Sequence, residues 1–285
     1  MSNKIWEFTG ETKIHLGTTL KRIRAAVEFK LKCGIVVVRG ELGGWIEKES
    51  NLSGYAWVYG DARVYGNAKV YGNARVSGNA EVSGDACVSG DARVYGNAWV
   101  YCDAMVYGDA EVYGNAMVYG DARVYGNAEV YGNAMVSGNA EVSGNAEVSG
   151  NVEVSGDARV YGYAEVYGNA MVSGNAEVSG NAWVYGDACV SGDAMVSGDA
   201  RVYGNARVYG DAWVKSSEDY CVYKNTWSSF RWFTYTRSNK MWSVGCFHGT
   251  GSELIAKPYK DSEKSGKCYE AIVKAQEAIE KEMEV

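Results

Sequence analysis

The chain is poor in the residues on which most enzymes of its size rely. It has 2 histidines and 1 proline in 285 residues. His15 and His248 lie towards the two ends, so the long middle of the chain offers no imidazole base. The 7 cysteines are odd in number and form no Cys-x-x-Cys pair, which argues against a zinc ribbon and a disulfide framework and fits reduced thiols. No phosphate-binding glycine loop, Gly-x-Ser-x-Gly elbow or His-Glu-x-x-His pair is present. There is no apolar run long enough to span a membrane, and the first residues carry charges where a secretion signal would be apolar. A soluble, cytoplasmic protein is expected. Threonine is missing from residues 51–214, which removes the flat threonine ladders of an ice-binding surface.

What fills the middle is a six-residue repeat, Val-Tyr/Ser-Gly-Asn/Asp-Ala-x. Valine recurs at every sixth position from Val58 to Val214 without a skipped register, and Leu52 extends the series by one step. A period this short marks a solenoid. A small residue, nearly always alanine, stands two places before each valine, so Ala-x-Val presents two core-facing side chains of a short strand. Gly-Asn or Gly-Asp then turns the corner, because glycine lacks a Cβ and Asn or Asp tolerates left-handed backbone angles. Three sides close a coil of 18 residues, nine coils in all, giving a rod roughly 43 Å long at the spacing of paired strands.

An aliphatic residue with a small residue two places before it, repeated every six, resembles the hexapeptide-repeat left-handed β-helix. The fold expected is mainly β: a left-handed triangular β-helix solenoid of about nine 18-residue coils, a small β-rich N-terminal cap and a C-terminal α+β module. Periodicity alone does not set the hand, so a right-handed solenoid stays open. The boundaries are residues 1–50 for the cap, 51–215 for the β-helix and 216–285 for the C-terminal module. The stretch from Gly40 to Ser53, with the Tyr-Gly-Asn-Ala repeat that follows, resembles proteins found in bacteriophage and prophage genomes. That resemblance implies a phage protein acting inside a bacterium.

Net charge is −7, unevenly spread. Residues 51–214 hold 8 basic and 19 acidic side chains, while both ends are mildly basic. An acidic rod repels bare nucleic acid and attracts basic partners. Side chains 18 apart stack, so each side reads as a ladder. One runs from Trp57 and Arg75 through Glu111, Glu129, Glu147 and Glu165, whose stacked carboxylates should repel one another. Another carries Trp99, Met117, Met135 and Met171, an apolar stripe expected to be an oligomer interface, with a side-by-side trimer favoured. The corner carboxylates Asp85, Asp103 and Asp121 also stack, but Asp is an ordinary turn residue there and no metal is expected. Three positions break the pattern, Cys102 for Gly, Val152 for Ala and Tyr163 for Asn or Asp, and each predicts a local distortion.

At the ends, residues 21–27 and 35–39 read as strands, as do Cys221-Val222-Tyr223, residues 230–235 and residues 242–247, with a turn at 237–240. Thr250 to Glu253 is a capping box before a short helix stopped by Pro258. Cys268, Ile272, Ala275, Ile279 and Met283 mark the apolar face of a last helix. Aromatics and arginines concentrate here, and Arg22, Arg24, Arg39, Arg231, Trp232 and Arg237 are the candidates for an anionic ligand. Cys246 and His248, two apart on a strand, are the one close Cys/His pair, and nucleophilic catalysis is not expected of them.

These features predict a non-enzymatic binding or scaffold protein with no cofactor. In the phage setting it would act against a bacterial defence system, by binding a host protein or by sequestering a cyclic or other nucleotide. Two alternatives remain: an acidic DNA mimic that inhibits a nucleic-acid enzyme, and a hexapeptide acyltransferase, whose usual histidine base the rod lacks. Neither a membrane nor direct nucleic-acid binding is expected.

Overall fold

The computed structural model describes residues 4–32, 34–259 and 262–283. The valines from Val58 to Val214 and the small residue two places before each are all fully buried, as the repeat requires. Each side of a coil is a short strand, here called a rung, two residues long as in Trp57–Val58 and Arg63–Val64 except at Glu165–Gly168 and Trp183–Gly186, which run to four. Rungs 18 residues apart pair in parallel, Glu81 with Trp99 and Trp99 with Met117, and so build three stacks of nine rungs, one of which three cap strands extend to a twelve-stranded sheet. The outward residue donates its N–H to the carbonyl 17 positions on, as Trp57 does to Ala74 at 3.0 Å. The molecule is a three-sided repeat β-helix with about nine coils.

Corner glycines are needed twice over. Gly96 has φ +73°, and a Cβ there would stand 3.0 Å from the backbone of Gly114 one coil on. Cys102 keeps the glycine conformation, φ +62°, at the cost of left-handed strain. One corner carries an unbroken amide ladder: Asn79, Asn97, Asn115, Asn133, Asn151 and Asn169 each donate Nδ2 to the next Oδ1, at 2.9–3.2 Å. The ladder ends on Asp187, which can only accept.

The glutamate column does not simply repel itself. Tyr95, Tyr113 and Tyr131 donate their hydroxyls to Glu111, Glu129 and Glu147, one coil on, at 2.8, 2.9 and 3.3 Å. Their rings stack 4.8 Å apart and nearly parallel. Burial raises the Tyr95 and Tyr113 phenols above their ordinary range, and the neighbouring carboxylates raise them further.

The N-terminal cap is a hairpin of Trp6–His15 and Thr18–Ala25 that joins the twelve-stranded sheet through Leu42–Ile46. The first strand escapes the sequence pattern because Gly10 and a register shift between Phe8 and Thr12 break its alternation. The strand expected over 35–39 shrinks to Val36–Val37, paired with Phe29–Lys30. That segment lies over the rod, and Phe29 meets Trp57 edge-on at 5.5 Å. Trp57, expected outward, is therefore fully buried. Asn51 plugs the first coil: fully buried, it donates Nδ2 to the carbonyls of Gly66 and Ala68 and accepts from Lys48 N.

At the other end the chain leaves the last rung through a turn at Ser217–Asp219 and forms an antiparallel sheet of Tyr220–Lys224, Trp232–Thr236, Met241–Val244 and Phe247–Gly249. Helices α1 (Gly251–Tyr259) and α2 (Glu263–Met283) cover it. The capping box forms as expected, Thr250 N donating to Glu253 and Glu253 N to Thr250 Oγ1. Pro258 does not stop α1; the helix runs one residue further, to Tyr259. The buried face of α2 is also different from expectation. Gly266, Tyr269, Ile272, Val273 and Gln276 face the core, and Ile279 and Met283 are exposed. Gln276 is drawn inward because Tyr223 donates its hydroxyl to it.

Candidate functional site

The last coil has no coil above it, so its outward N–H groups need other acceptors. Side-chain oxygens of the C-terminal module provide them. Thr234 Oγ1 accepts from Arg207 N at 2.9 Å, Ser238 Oγ from Trp213 N at 2.6 Å, and Asp219 Oδ2 from Lys215 N at 2.6 Å. Tyr220 donates its hydroxyl to Arg201 O at 2.7 Å, and burial raises its phenol above the usual range. These bonds clamp the module onto the rod and leave a groove along the seam.

Three neighbouring cavities share lining residues here. The middle one, of 280 Å³, is lined by Asp187, Asn205, Arg207, Arg231, Trp232 and Gly245. Asn205 and Trp232 also line a neighbouring 320 Å³ cavity that includes Tyr203 and Tyr220. Arg231 and Gly245 also line a 430 Å³ cavity within the C-terminal module, together with Val244, Phe247, Leu254 and Tyr269.

Two guanidinium groups converge on Gly245. Arg207 donates Nη1 to its carbonyl at 2.7 Å, and Arg231 lies 3.8 Å from where a Cβ on Gly245 would stand. Arg231 forms no ion pair among the described residues. Its position is built by the preceding loop. Asn225, fully buried, accepts from Trp227 N and Ser228 N and donates its own N–H to Arg231 O. Phe230 closes the loop at φ +54°, a strained conformation for a bulky aromatic. Lys224 Nζ covers one face of the Trp232 ring at 4.6 Å. Asp187 is the one carboxylate of the middle chamber, and its Oδ1 is occupied by Asn169.

Of the arginines and the tryptophan expected to bind an anion, the structure brings together only Arg231 and Trp232. Arg22 and Arg24 sit on the N-terminal hairpin, paired with Glu11 and Glu7, with Arg39 in the same cap and the whole rod between them and the groove. Arg237 turns away to Glu280 on α2 at 2.9 Å. Arg207, Asn205, Tyr203 and Tyr220 were missed. Arg207 was visible as the top of its ladder, but nothing in the repeat says what lies above it.

The expected interface residues do share a face. Trp99 and Met171 are each 47% exposed and Met117 and Met135 half-buried, on successive paired rungs interrupted by Glu153. Cys246 sits exposed in a turn, whereas His248 uses Nδ1 on Ser243 Oγ at 3.1 Å and its ring stands edge-on to Tyr209. Ser243 is buried, so this Ser/His contact offers no accessible nucleophile.

A second titratable cluster holds the N-terminal hairpin. Glu81, nearly buried, takes His15 Nε2 at 3.0 Å, the Tyr65 hydroxyl at 3.0 Å and Arg63 Nη1. Burial alone pushes its carboxyl up, but the hydrogen bonds from His15, Tyr65 and Arg63 outweigh that and hold it below the usual range. Among the described residues no group of three or more His, Cys, Asp or Glu side chains is placed to hold a metal ion. No helix among them is long and apolar enough to cross a membrane.

The rod is similar to the family described as YdcK Beta solenoid repeat, which matches residues 56–72, 68–86, 86–102, 110–126, 122–138, 128–144, 164–180 and 200–216. The matches fall on the coils alone and leave both caps and the groove residues of the C-terminal sheet unmatched, apart from the last rungs. No curated protein matches the chain.

Proposed function

We propose that the protein is a non-enzymatic binding protein that captures an anionic ligand bearing a planar ring, a nucleotide by class, in the groove between rod and C-terminal module. The observation that carries this reading is the convergence of Arg207 and Arg231 on Gly245 beside Trp232. Two guanidiniums suit a phosphate, and the neighbouring aromatic chamber suits a base. Asp187 would repel a phosphate placed against it but accept from a sugar hydroxyl or an exocyclic amine.

In the setting suggested by the phage-like repeat, the protein acts in a bacterial cell and removes a nucleotide signal used by a defence system. Capture of a basic host protein by the rod is the second reading, favoured by the excess of acidic over basic side chains along residues 51–214. The DNA-mimic reading is weaker, because Arg93 and Arg123 pair with Glu111 and Glu141 and break up the acidic display.

The test is titration calorimetry and thermal melting of the purified protein with ATP, cyclic AMP, cyclic di-GMP and inorganic phosphate. Saturable binding of at least one nucleotide should raise the melting temperature, by about 2.7 kcal/mol of stability at a hundredfold excess over Kd. Arg231→Glu should abolish it and Arg24→Glu, at the far end of the rod, should not. Failure of every nucleotide to bind, or equal binding by Arg231→Glu, rejects the reading.

A further inference from the structure

The three faces of the rod differ sharply in charge. On the face that bears Trp99, the five rungs from residue 97 to residue 173 carry a single ionisable acid or base besides tyrosine, Glu153, among their outward positions. Over the same height the next face carries Asp103, Asp121, Arg123, Glu141, Asp157 and others, and the third carries Asp109 and the four-glutamate column. The neutral face is bordered by the asparagine ladder, which keeps it flat, and its middle column holds one tryptophan and three methionines. Depletion of charge with enrichment of Trp and Met is the composition of an interface core. Elsewhere the rod is strongly acidic and would repel a second rod.

We propose that this face is the contact between two copies of the chain, packed antiparallel about a two-fold axis through Met135. The sequence along the face selects this arrangement. In that register Trp99 of one copy meets Met171 of the other, and Tyr101 and Tyr119, stacked at 5.0 Å, meet Ser173 and Ser155, so the bulky half of each face covers the small half. Glu153 then lies opposite Met117, beside a Tyr119 hydroxyl that can donate to it as Tyr113 does to Glu129 within one chain. A parallel pair would set Trp99 on Trp99 and Glu153 on Glu153. The face also reaches the tip of the N-terminal hairpin, where Ile14 and Leu16 are about 80% exposed beside His15 on Glu81. Glu81 and Cys189 are themselves covered, so the open face runs from the rung of Trp99 to that of Met171, four spacings of roughly 4.8 Å by a width of roughly 17 Å or about 330 Å² per copy, to which the exposed Ile14 and Leu16 at the hairpin tip add. The face alone buries about 660 Å² for the pair, so the roughly 1,000 Å² of a specific interface needs the hairpin tips to pack as well.

Sedimentation velocity and light scattering over a range of concentrations should show a dimer. Met135→Arg, which opposes two cations on the axis, should weaken it at least a hundredfold with an unchanged circular dichroism spectrum. Met105→Arg, on another face, should leave it intact. Under mild oxidation the double variant Trp99→Cys/Met171→Cys should give a disulfide between chains that mass mapping places at those two positions. Within one chain they are four rungs apart, too far for a bond. A monomeric or trimeric wild type, a dimer indifferent to Met135→Arg, or self-linking of Trp99→Cys alone would overturn the proposal.

Discussion

The Tyr113 hydroxyl donates to Glu129 at 2.9 Å and so ties a ring on one coil to a carboxylate on the next. Glu129 stands between Glu111 and Glu147 on paired rungs, so its charge is tolerated through this donor and through its partial exposure to solvent. Tyr113→Phe keeps the ring stack and removes only the donor. It should cost about 1 kcal/mol, a charged-group hydrogen bond discounted for partial exposure. Chemical denaturation should show the loss in the wild type and a smaller one in a Glu129→Gln background, because the bond then has no charge to stabilise; equal losses would mean the hydroxyl does not serve the carboxylate.

Asn51 closes the open end of the first coil, where two downward carbonyls have no strand below them. Asn51→Ala leaves both buried and unpaired, as well as Lys48 N. The expected destabilisation is about 2–3 kcal/mol, and Asn51→Asp should do no better, since a carboxylate cannot donate to a carbonyl. A melting temperature unchanged in both variants would show that the plug is dispensable.

The rod was legible because a single period fixes strand, corner and core together, and every valine lies where the period puts it. The caps were less so, for physical reasons that differ. Trp57 obeys the repeat but is covered by Phe29, a contact that depends on how a non-repeating segment folds back. The glutamate column looked repulsive because the Tyr-to-Glu bond joins residues 16 apart, a spacing that is neither the six-residue repeat nor the coil. Arg207 and Arg231 belong to different elements, and the clamp that unites them, Thr234 on Arg207 N, is a one-off contact with no period to announce it.

The phenols make the fold sensitive to base. Burial and the Cys189 thiol push Tyr209 up to about 12, and burial and Glu280 push Tyr235 up to about 12. A raised folded pKa means the fold holds the proton more tightly than the unfolded chain does. This stability is complete below about pH 10, where unfolded tyrosine begins to ionise, and is lost as pH climbs through 12. The melting temperature should therefore stay level up to about pH 9 and decline above pH 10, with phenolate absorbance at 295 nm appearing in two stages. Single-stage ionisation near pH 10 in a still-folded protein would contradict the assignment.

Phe230 offers the most direct link between strain and binding. A bulky aromatic at φ +54°, two-thirds exposed, adds little packing to justify its conformation. What it does is turn the loop so that Arg231 emerges over Gly245. Phe230→Gly relieves the left-handed strain of about 1 kcal/mol or more, offset in part by the entropy that glycine gives the unfolded chain, for a net gain of about 0.5 kcal/mol. That corresponds to a rise of about 1–2 °C in melting temperature for a chain of this size. If the strain serves to fix Arg231, the same variant should bind the nucleotide identified by calorimetry more weakly, by about tenfold, because the guanidinium must then be ordered on binding. A variant that gains stability without losing affinity would separate the strain from the site and leave Phe230 without a role in the groove.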